Sequence, residues 1–105
     1  MANKDQDRLK DAKVRAARYC AYRERAPSEV RQKLKTLGLK QDQVEQVYSE
    51  LVTSGFVDEE RFALAFASGK FRMKKWGKLK IEHSLQQHQI SSLLIEKALN
   101  SLPEN

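Results

Sequence analysis

Apolar residues recur every three or four positions along almost the whole chain, which is the spacing of one face of an α-helix. No segment alternates apolar and polar side chains for more than a few residues, as a half-buried strand would. Pro27 suits the first turn of a helix, and single glycines suit helix ends. The pattern predicts six helices: one ending near Arg25 after a polar start, one from Pro27 to Gly38, one over about 41–54, one from a cap at Asp58 to Gly77, one from there to about His88, and one through Ile95 and Leu102.

The apolar pattern repeats when the chain is compared with itself at an offset of 51 residues. The coinciding pairs are Val30 and Ile81, Leu34 and Leu85, Leu39 and Ile90, Val44 and Ile95, Tyr48 and Leu99, Leu51 and Leu102, Ala12 and Ala63, and Ala16 and Ala67. A fixed period of this length is typical of repeat proteins, whose units bury apolar faces against their neighbours. We therefore predict an all-α fold of tandem three-helix repeats packed into one curved bundle. The expected divisions are a flexible start over residues 1–11, a first repeat over 12–57 and a second over 58–105.

The fourth helix carries apolar residues on two sides, which is typical of a helix between two layers. We expect it to lie between the repeats and to bury Phe62, Phe66 and Met73 there. Trp76 follows at the same angular position. We favour a buried anchor over a base-stacking residue for Trp76, because burial uses the large area of its side chain.

Composition narrows the class of protein. With 105 residues, of which 40% are apolar and 32% charged, the chain is one globular domain or two small units sharing a core. No apolar run is long enough to span a bilayer, and the N-terminus lacks the apolar core of a signal peptide. Cys20 has no second cysteine to pair with, which fits a reducing compartment. We expect a cytoplasmic protein.

Charge is strongly segregated along the chain, although the net value is only +6. Residues 1–40 carry +7, 41–60 carry −6, 61–81 carry +7, and 82–105 carry −2. Basic segments therefore occur at equivalent places in the two repeats. This distribution predicts a positive surface that lies along a polyanion.

The sequence offers no catalytic constellation. His83 and His88 are five residues apart, which does not bring two side chains to one helix face for a metal. The four glycines are scattered singly, so no phosphate-binding loop is present, and Cys20 reads as a small buried residue. We predict a non-enzymatic protein with no metal and no cofactor.

Two sets of residues are candidates for binding nucleic acid. The first forms a stripe on the first helix, for which a solvated face is an equal alternative. The second surrounds the end of the fourth helix, where no acid occurs between residues 61 and 81. Such crowding costs roughly 1 kcal/mol per close pair in water, which favours a binding surface. The first set is Arg15, Arg18, Tyr22 and Arg25, and the second is Lys70, Arg72, Lys74, Lys75, Lys78 and Lys80.

Several stretches resemble the RecX family of RecA regulators over about residues 12–102. These stretches are Tyr-Arg-Glu-Arg-Ala-Pro-Ser-Glu-Val at 22–30 with Lys33, Leu34 and Gly38 after it, Leu51, Ser-Gly-Phe-Val-Asp-Glu-Glu-Arg-Phe-Ala at 54–63, and Trp76-Gly77-Lys78 with Ile81, Leu85 and Ile90. The junction at 55–63 and the basic segment after Trp76 are the most specific. This sequence departs from the family at Ala26, where a serine is usual, and at Gln89, where a glycine is expected.

The resemblance implies a modulator that binds the RecA filament on DNA, lies along its groove and inhibits its recombinase, ATPase and SOS-linked activities. Family members commonly carry three units and this chain has two, so we expect binding to be retained better than inhibition. We expect a monomer that contacts DNA through the filament or, more weakly, directly, with no membrane and no small-molecule substrate. Asp42, Glu45 and Glu50 on the acidic third helix would face the protein partner.

The alternative is a small basic DNA-binding module of helix-turn-helix type that acts without RecA. Such a module needs base-reading side chains on one exposed helix. The second and fifth helices offer mostly Lys, Gln and Glu, with no evident set of this kind.

Overall fold

A computed structural model describes residues 4–103, and within this range the chain forms six α-helices and no strand. The all-α prediction is confirmed. The helices are α1 (Lys4–Tyr22), α2 (Pro27–Thr36), α3 (Gln41–Thr53), α4 (Glu59–Met73), α5 (Lys78–Gln87) and α6 (Ser92–Asn100). No helix in the described part of the chain is long and apolar enough to cross a membrane.

The first unit packs α1, α2 and α3 against one another around a single apolar core. Each helix contributes residues spaced three or four apart, as the amphipathic pattern requires. The core consists of Ala12, Ala16, Cys20, Val30, Leu34, Leu39, Val44, Val47, Leu51 and Val57. The two small alanines on α1 bring its backbone close to the other helices.

The second unit packs α4, α5 and α6 in the same way. Its buried residues are Phe62, Ala63, Ala67, Ile81, Leu85, Ile90, Ile95, Ala98 and Leu102. Asp58 caps α4 as predicted, since its carboxylate accepts a hydrogen bond from the Arg61 N–H at 2.8 Å. The boundary between the two compact units falls between Val57 and Asp58.

The 51-residue offset holds for helix boundaries as well as for apolar positions. Residue 22, the last of α1, corresponds to residue 73, the last of α4. The bounds 27–36 of α2 correspond to the bounds 78–87 of α5, and α3 and α6 begin at residues 41 and 92. The two units therefore share one backbone plan.

The second helix of each unit ends in the same left-handed conformation. Gly38 has φ +94° and its equivalent Gln89 has φ +63°. The next N–H then donates to a helix carbonyl, from Leu39 to Leu34 at 3.3 Å and from Ile90 to Leu85 at 3.1 Å. Gln89 thus occupies a glycine-type position without being glycine.

Two expectations about α1 and its flanks differ from the structure. The helix begins at Lys4, so it covers most of the segment for which we expected a flexible start; residues 1–3 lie outside the described range. Asp5 and Asp7 in the first turn favour this early start through the helix dipole. The helix ends at Tyr22 rather than near Arg25.

The expected burial of α4 residues is partly wrong. Phe62 is buried and Phe66 half-buried, and both rings pack against His88 of the same unit at 5.5 and 5.3 Å. Met73, the last residue of α4, is 83% exposed. Trp76 is only partly buried. It lies three residues beyond the end of α4, so the helical periodicity of α4 does not set the direction of its side chain.

Candidate nucleic-acid interface

The predicted stripe on α1 lies on the surface of the first unit. Arg15, Arg18 and Tyr22 are exposed, and the Tyr22 ring is 85% accessible. Arg15 already has a partner, because its Nε donates to the Asp11 carboxylate at 3.0 Å one turn earlier. Arg18 and Tyr22 are therefore the more available members of the stripe.

Arg25 is held in place at the end of this stripe. Its Nε donates to the Tyr19 carbonyl at 2.8 Å, and its guanidinium carbon lies 3.6 Å from the centre of the Tyr19 ring. The Lys33 ammonium from α2 lies 5.3 Å from the same ring centre. Two cations on one tyrosine form a cation–π cluster whose side chains lose little further freedom on binding an anion.

Sequence reasoning missed Tyr19 and Lys33. Tyr19 follows Ala12 and Ala16 at helical spacing, which is typical of a core position, and Lys33 lies on another helix, 14 residues away in sequence. Together with the predicted stripe they surround a shallow depression of about 410 Å³. Its lining is Arg15, Arg18, Tyr19, Tyr22, Arg25, Lys33 and Leu37.

The second basic set is organised around Trp76. The Lys70 and Lys80 ammonium groups lie 4.9 and 4.5 Å from the centre of its ring, and Phe66 meets the ring edge-on at 6.4 Å. Lys75 adjoins it at φ +60°. Trp76 is therefore neither a core anchor nor an open stacking platform, but the centre of a second cation–π cluster.

The remaining basic residues of this set lie on the surface around that centre. Arg72, Lys74, Lys75 and Lys78 are all exposed. A depression of about 450 Å³ next to the ring is lined by Phe71, Arg72, Lys75, Trp76 and Gly77. The structure thus places all six predicted basic residues at the end of α4 and the start of α5.

The two clusters occupy equivalent positions with exchanged chemistry. Tyr19 corresponds to Lys70 and Arg25 to Trp76, so the aromatic comes first in one unit and the cation first in the other. The backbone carbonyl at the earlier position accepts a hydrogen bond in both units, from Arg25 Nε at 2.8 Å and from Trp76 N–H at 3.1 Å. Each unit thus fixes a cation on an aromatic ring just after its first helix.

The first turns of α2 and α5 differ in charge at one equivalent position. In α2, Glu29 accepts from the Ala26 N–H at 2.9 Å, which is the half of a capping box that needs no side-chain oxygen at Ala26. In α5 the equivalent residue is Lys80, and the first turn contains no acid. Lysines at a helix N-terminus oppose the helix dipole. Their position reduces stability and leaves an unneutralised positive surface.

The acidic residues on α3 are largely engaged inside the first unit. Glu45 accepts two hydrogen bonds from the Arg31 guanidinium, at 3.0 and 3.3 Å. Glu50 pairs with Lys13 at 3.3 Å. Asp42 is exposed in the first turn of α3, where its charge favours the helix. Contact of these three residues with a protein partner stays a prediction.

The histidines have local roles. The Ser84 carbonyl lies 2.8 Å from His88 Nδ1, and because a carbonyl only accepts, Nδ1 carries the hydrogen. His83 Nε2 lies 3.4 Å from the Gln87 side-chain nitrogen. Within the described residues no group of three or more His, Cys, Asp or Glu side chains is arranged to hold a metal ion.

The geometry defines a tandem three-helix repeat protein with a basic, aromatic-backed cluster in each unit. Comparison with known proteins identifies both units: residues 12–51 match the model of the first three-helix domain of RecX, and residues 58–99 match that of the second. The chain belongs to the RecX family of regulatory proteins.

Curated relatives agree with this family, and a solved structure shares the fold. The chain is 34% identical over 85 residues to Regulatory protein RecX of Prosthecochloris aestuarii, covering 81% of this chain and 56% of that protein. It is 29% identical over 97 residues to Regulatory protein RecX of Lactococcus lactis subsp. cremoris, covering 91% and 36%. The crystal structure of RecX from Lactobacillus salivarius superposes with a TM-score of 0.83 at 21% identity, covering 90% of this chain and 62% of that one. The chain thus spans little more than half the length of the first relative and about a third of the second.

Proposed function

We propose that this protein binds the RecA–DNA nucleoprotein filament and inhibits its recombinase and ATPase activities, and with them the SOS response. It acts in the cytoplasm as a binding protein without enzymatic activity of its own. Membership of a family of regulatory proteins supports the class. The observation that carries the DNA-facing part is the presence of a fixed cation–π cluster at equivalent positions of both units.

The basic clusters supply a phosphate-binding term that any nucleic acid satisfies. Lysine and arginine contacts to phosphates release counterions, so this term weakens steeply as salt rises. A regulator that prefers the filament must add contacts to protein, which depend less on salt. Preference for RecA-coated over naked DNA should therefore grow with ionic strength.

A salt series tests this proposal. Single-stranded DNA and RecA-coated DNA are each titrated with the protein between low and moderate salt, and RecA ATPase is measured in parallel. Each lost phosphate contact lowers the salt slope on single strands by about 0.7. Replacing Lys74, Lys75 and Lys78 together by Gln should thus lower it by up to about 2. It should also raise the concentration needed for ATPase inhibition.

A matched control removes the same charge elsewhere. Lys10, Lys35 and Lys40 are also exposed lysines and lie outside both predicted sets. Their combined replacement by Gln keeps the net charge equal to that of the test variant and should change slope and inhibition much less. If the protein binds naked DNA as tightly as filament at every salt and leaves the ATPase untouched, the proposal fails. The plain DNA-binding module then takes its place.

A further inference from the structure

A groove between α5 and α6 of the second unit has an apolar floor and an acidic rim. It measures about 360 Å³ and is lined by Ile90, Ile95 and Leu99 with Glu82 and Glu96 beside them. Within residues 4–103 neither carboxylate has an ion pair or hydrogen bond. Lys97, the neighbour of Glu96, pairs with Glu60 instead. The groove therefore combines a floor of two buried isoleucines and the half-buried Leu99 with two unneutralised charges.

The first unit shows what fills the equivalent space. At the 51-residue offset Glu96 corresponds to Glu45 and Leu99 to Tyr48, while Glu82 corresponds to Arg31. The Arg31 guanidinium makes two hydrogen bonds to the Glu45 carboxylate, at 3.0 and 3.3 Å. It also lies 3.9 Å from the centre of the Tyr48 ring. One guanidinium thus neutralises the carboxylate and covers the side chain beneath it.

The second unit keeps the carboxylate but lacks the guanidinium. Glu82 stands at the position that supplies the cation in the first unit, so the two acids repel rather than pair. We propose that this groove binds an arginine side chain of the protein partner, with its guanidinium on Glu96 and Glu82 and its stem over Leu99. The inference rests on the proposed function only in taking that partner to be the recombinase.

The chemistry of the groove selects this occupant. A planar guanidinium matches a carboxylate through two parallel hydrogen bonds and stacks on flat or apolar surface, which an ammonium does less well. A phosphate backbone would be repelled by the acidic rim. The groove therefore suits protein rather than DNA, in contrast to the clusters around Tyr19 and Trp76.

A titration with a small probe tests the site without any recombinase. N-acetyl-arginine amide is added to the methyl-labelled protein, and N-acetyl-citrulline amide serves as the uncharged isostere. Saturable shifts are expected at the methyls of Ile90, Ile95 and Leu99, with arginine binding about tenfold tighter than citrulline, as for loss of a charge-assisted hydrogen bond. Equal affinity for both probes, or shifts that lie elsewhere, would overturn the proposal.

Two substitutions exploit the internal repeat. Glu82→Arg rebuilds the pairing of the first unit, so it should close the groove, preserve folding and abolish probe binding. Arg31→Glu should open the equivalent groove of the first unit and produce a second set of shifts at Val44 and Leu39. Glu82→Gln is the matched control that weakens binding without closing the groove. If Glu82→Arg still binds the probe with parental affinity, the guanidinium does not occupy this site.

Filament binding separates this inference from the proposed function. Glu82→Arg should weaken inhibition of the RecA ATPase about tenfold, while Glu82→Gln has a smaller effect. Inhibition by Glu82→Arg at parental concentrations would overturn the assignment of the groove to the recombinase and leave the proposed function standing. A protein that binds the probe but neither binds the filament nor inhibits its ATPase would overturn both the proposed function and the assignment of the groove to the recombinase. If the protein self-associates and Glu96→Gln abolishes this self-association, the occupant of the groove is a second copy of this chain and the proposal is overturned.

Discussion

Replacing Gln89 by glycine should stabilise the second unit. Gln89 ends α5 at φ +63°, in the left-handed region. A non-glycine residue there costs roughly 1–2 kcal/mol relative to a right-handed conformation. Glycine removes that cost but loses about 0.5–1 kcal/mol more conformational entropy on folding. With the middle of each range, the net gain in the free energy of unfolding is about 0.7 kcal/mol.

The equivalent residue of the first unit provides the matched control. Gly38 has φ +94°, and no atom lies within 4 Å of the place where a Cβ would stand. Gly38→Gln therefore meets no steric obstacle, and its cost is purely conformational. It should destabilise the protein by about 1 kcal/mol, opposite in sign to Gln89→Gly.

Urea and thermal denaturation followed by circular dichroism measure both variants. The gain for Gln89→Gly corresponds to a rise in Tm of about 3–6 °C for a protein of this size. The Ile90 amide follows the substituted residue directly and donates to the Leu85 carbonyl. Hydrogen exchange at this amide therefore locates the effect in the second unit. If Gln89→Gly is neutral or destabilising while Gly38→Gln is harmless, the left-handed conformation carries no cost here and the reasoning is refuted.

Two further predictions concern the cation–π clusters and the ion pair of the first unit. Trp76→Ala should destabilise the protein by about 2 kcal/mol, less than the 3–5 expected for a fully buried aromatic residue. A variant that melts like the parent but no longer binds DNA would make Trp76 a stacking residue instead. A double-mutant cycle on Arg31 and Glu45 with alanine should give a coupling free energy of about 0.5–1 kcal/mol, because the pair is bidentate but half-exposed. A coupling free energy of zero would mean that the ion pair does not stabilise the protein.

The sequence predicted the fold where the information is periodic. The coincidence of Val30 with Ile81 and of Leu34 with Leu85 depends only on helical spacing and repeat length, and all four side chains are fully buried. The cap at Asp58 was predictable for a similar reason, since a capping carboxylate acts on a backbone N–H only three residues away.

The same angular reasoning failed beyond the helix ends. It assumes that the helix continues, but α4 ends at Met73, so the direction of Trp76 is set by the chain that follows. Met73 itself has the angular position of a core residue but is exposed. Periodicity gives the direction of a side chain on its own helix, but it does not tell where the neighbouring helices stop.

The candidate site was predictable in composition but not in arrangement. The crowding of lysines between residues 61 and 81 is visible in the sequence, and all of them except the half-buried Lys70 are exposed. The contact between Tyr19 and Arg25 spans six residues across a helix end, and no helical spacing rule covers it. The pair of Arg31 with Glu45 joins two helices and depends on how they pack.

The exchange of partners between the two cation–π clusters has a consequence for how such duplicated proteins diverge. Tyr19 with Arg25 and Lys70 with Trp76 preserve one contact while sharing no residue at either position. Converting one arrangement into the other takes two substitutions. The intermediate has either two cations, which repel, or two aromatic rings, which attract. Only the aromatic intermediate keeps the two side chains in contact at every step, so we expect the exchange to proceed through it. Position-by-position sequence identity between the repeats therefore underestimates what they have in common.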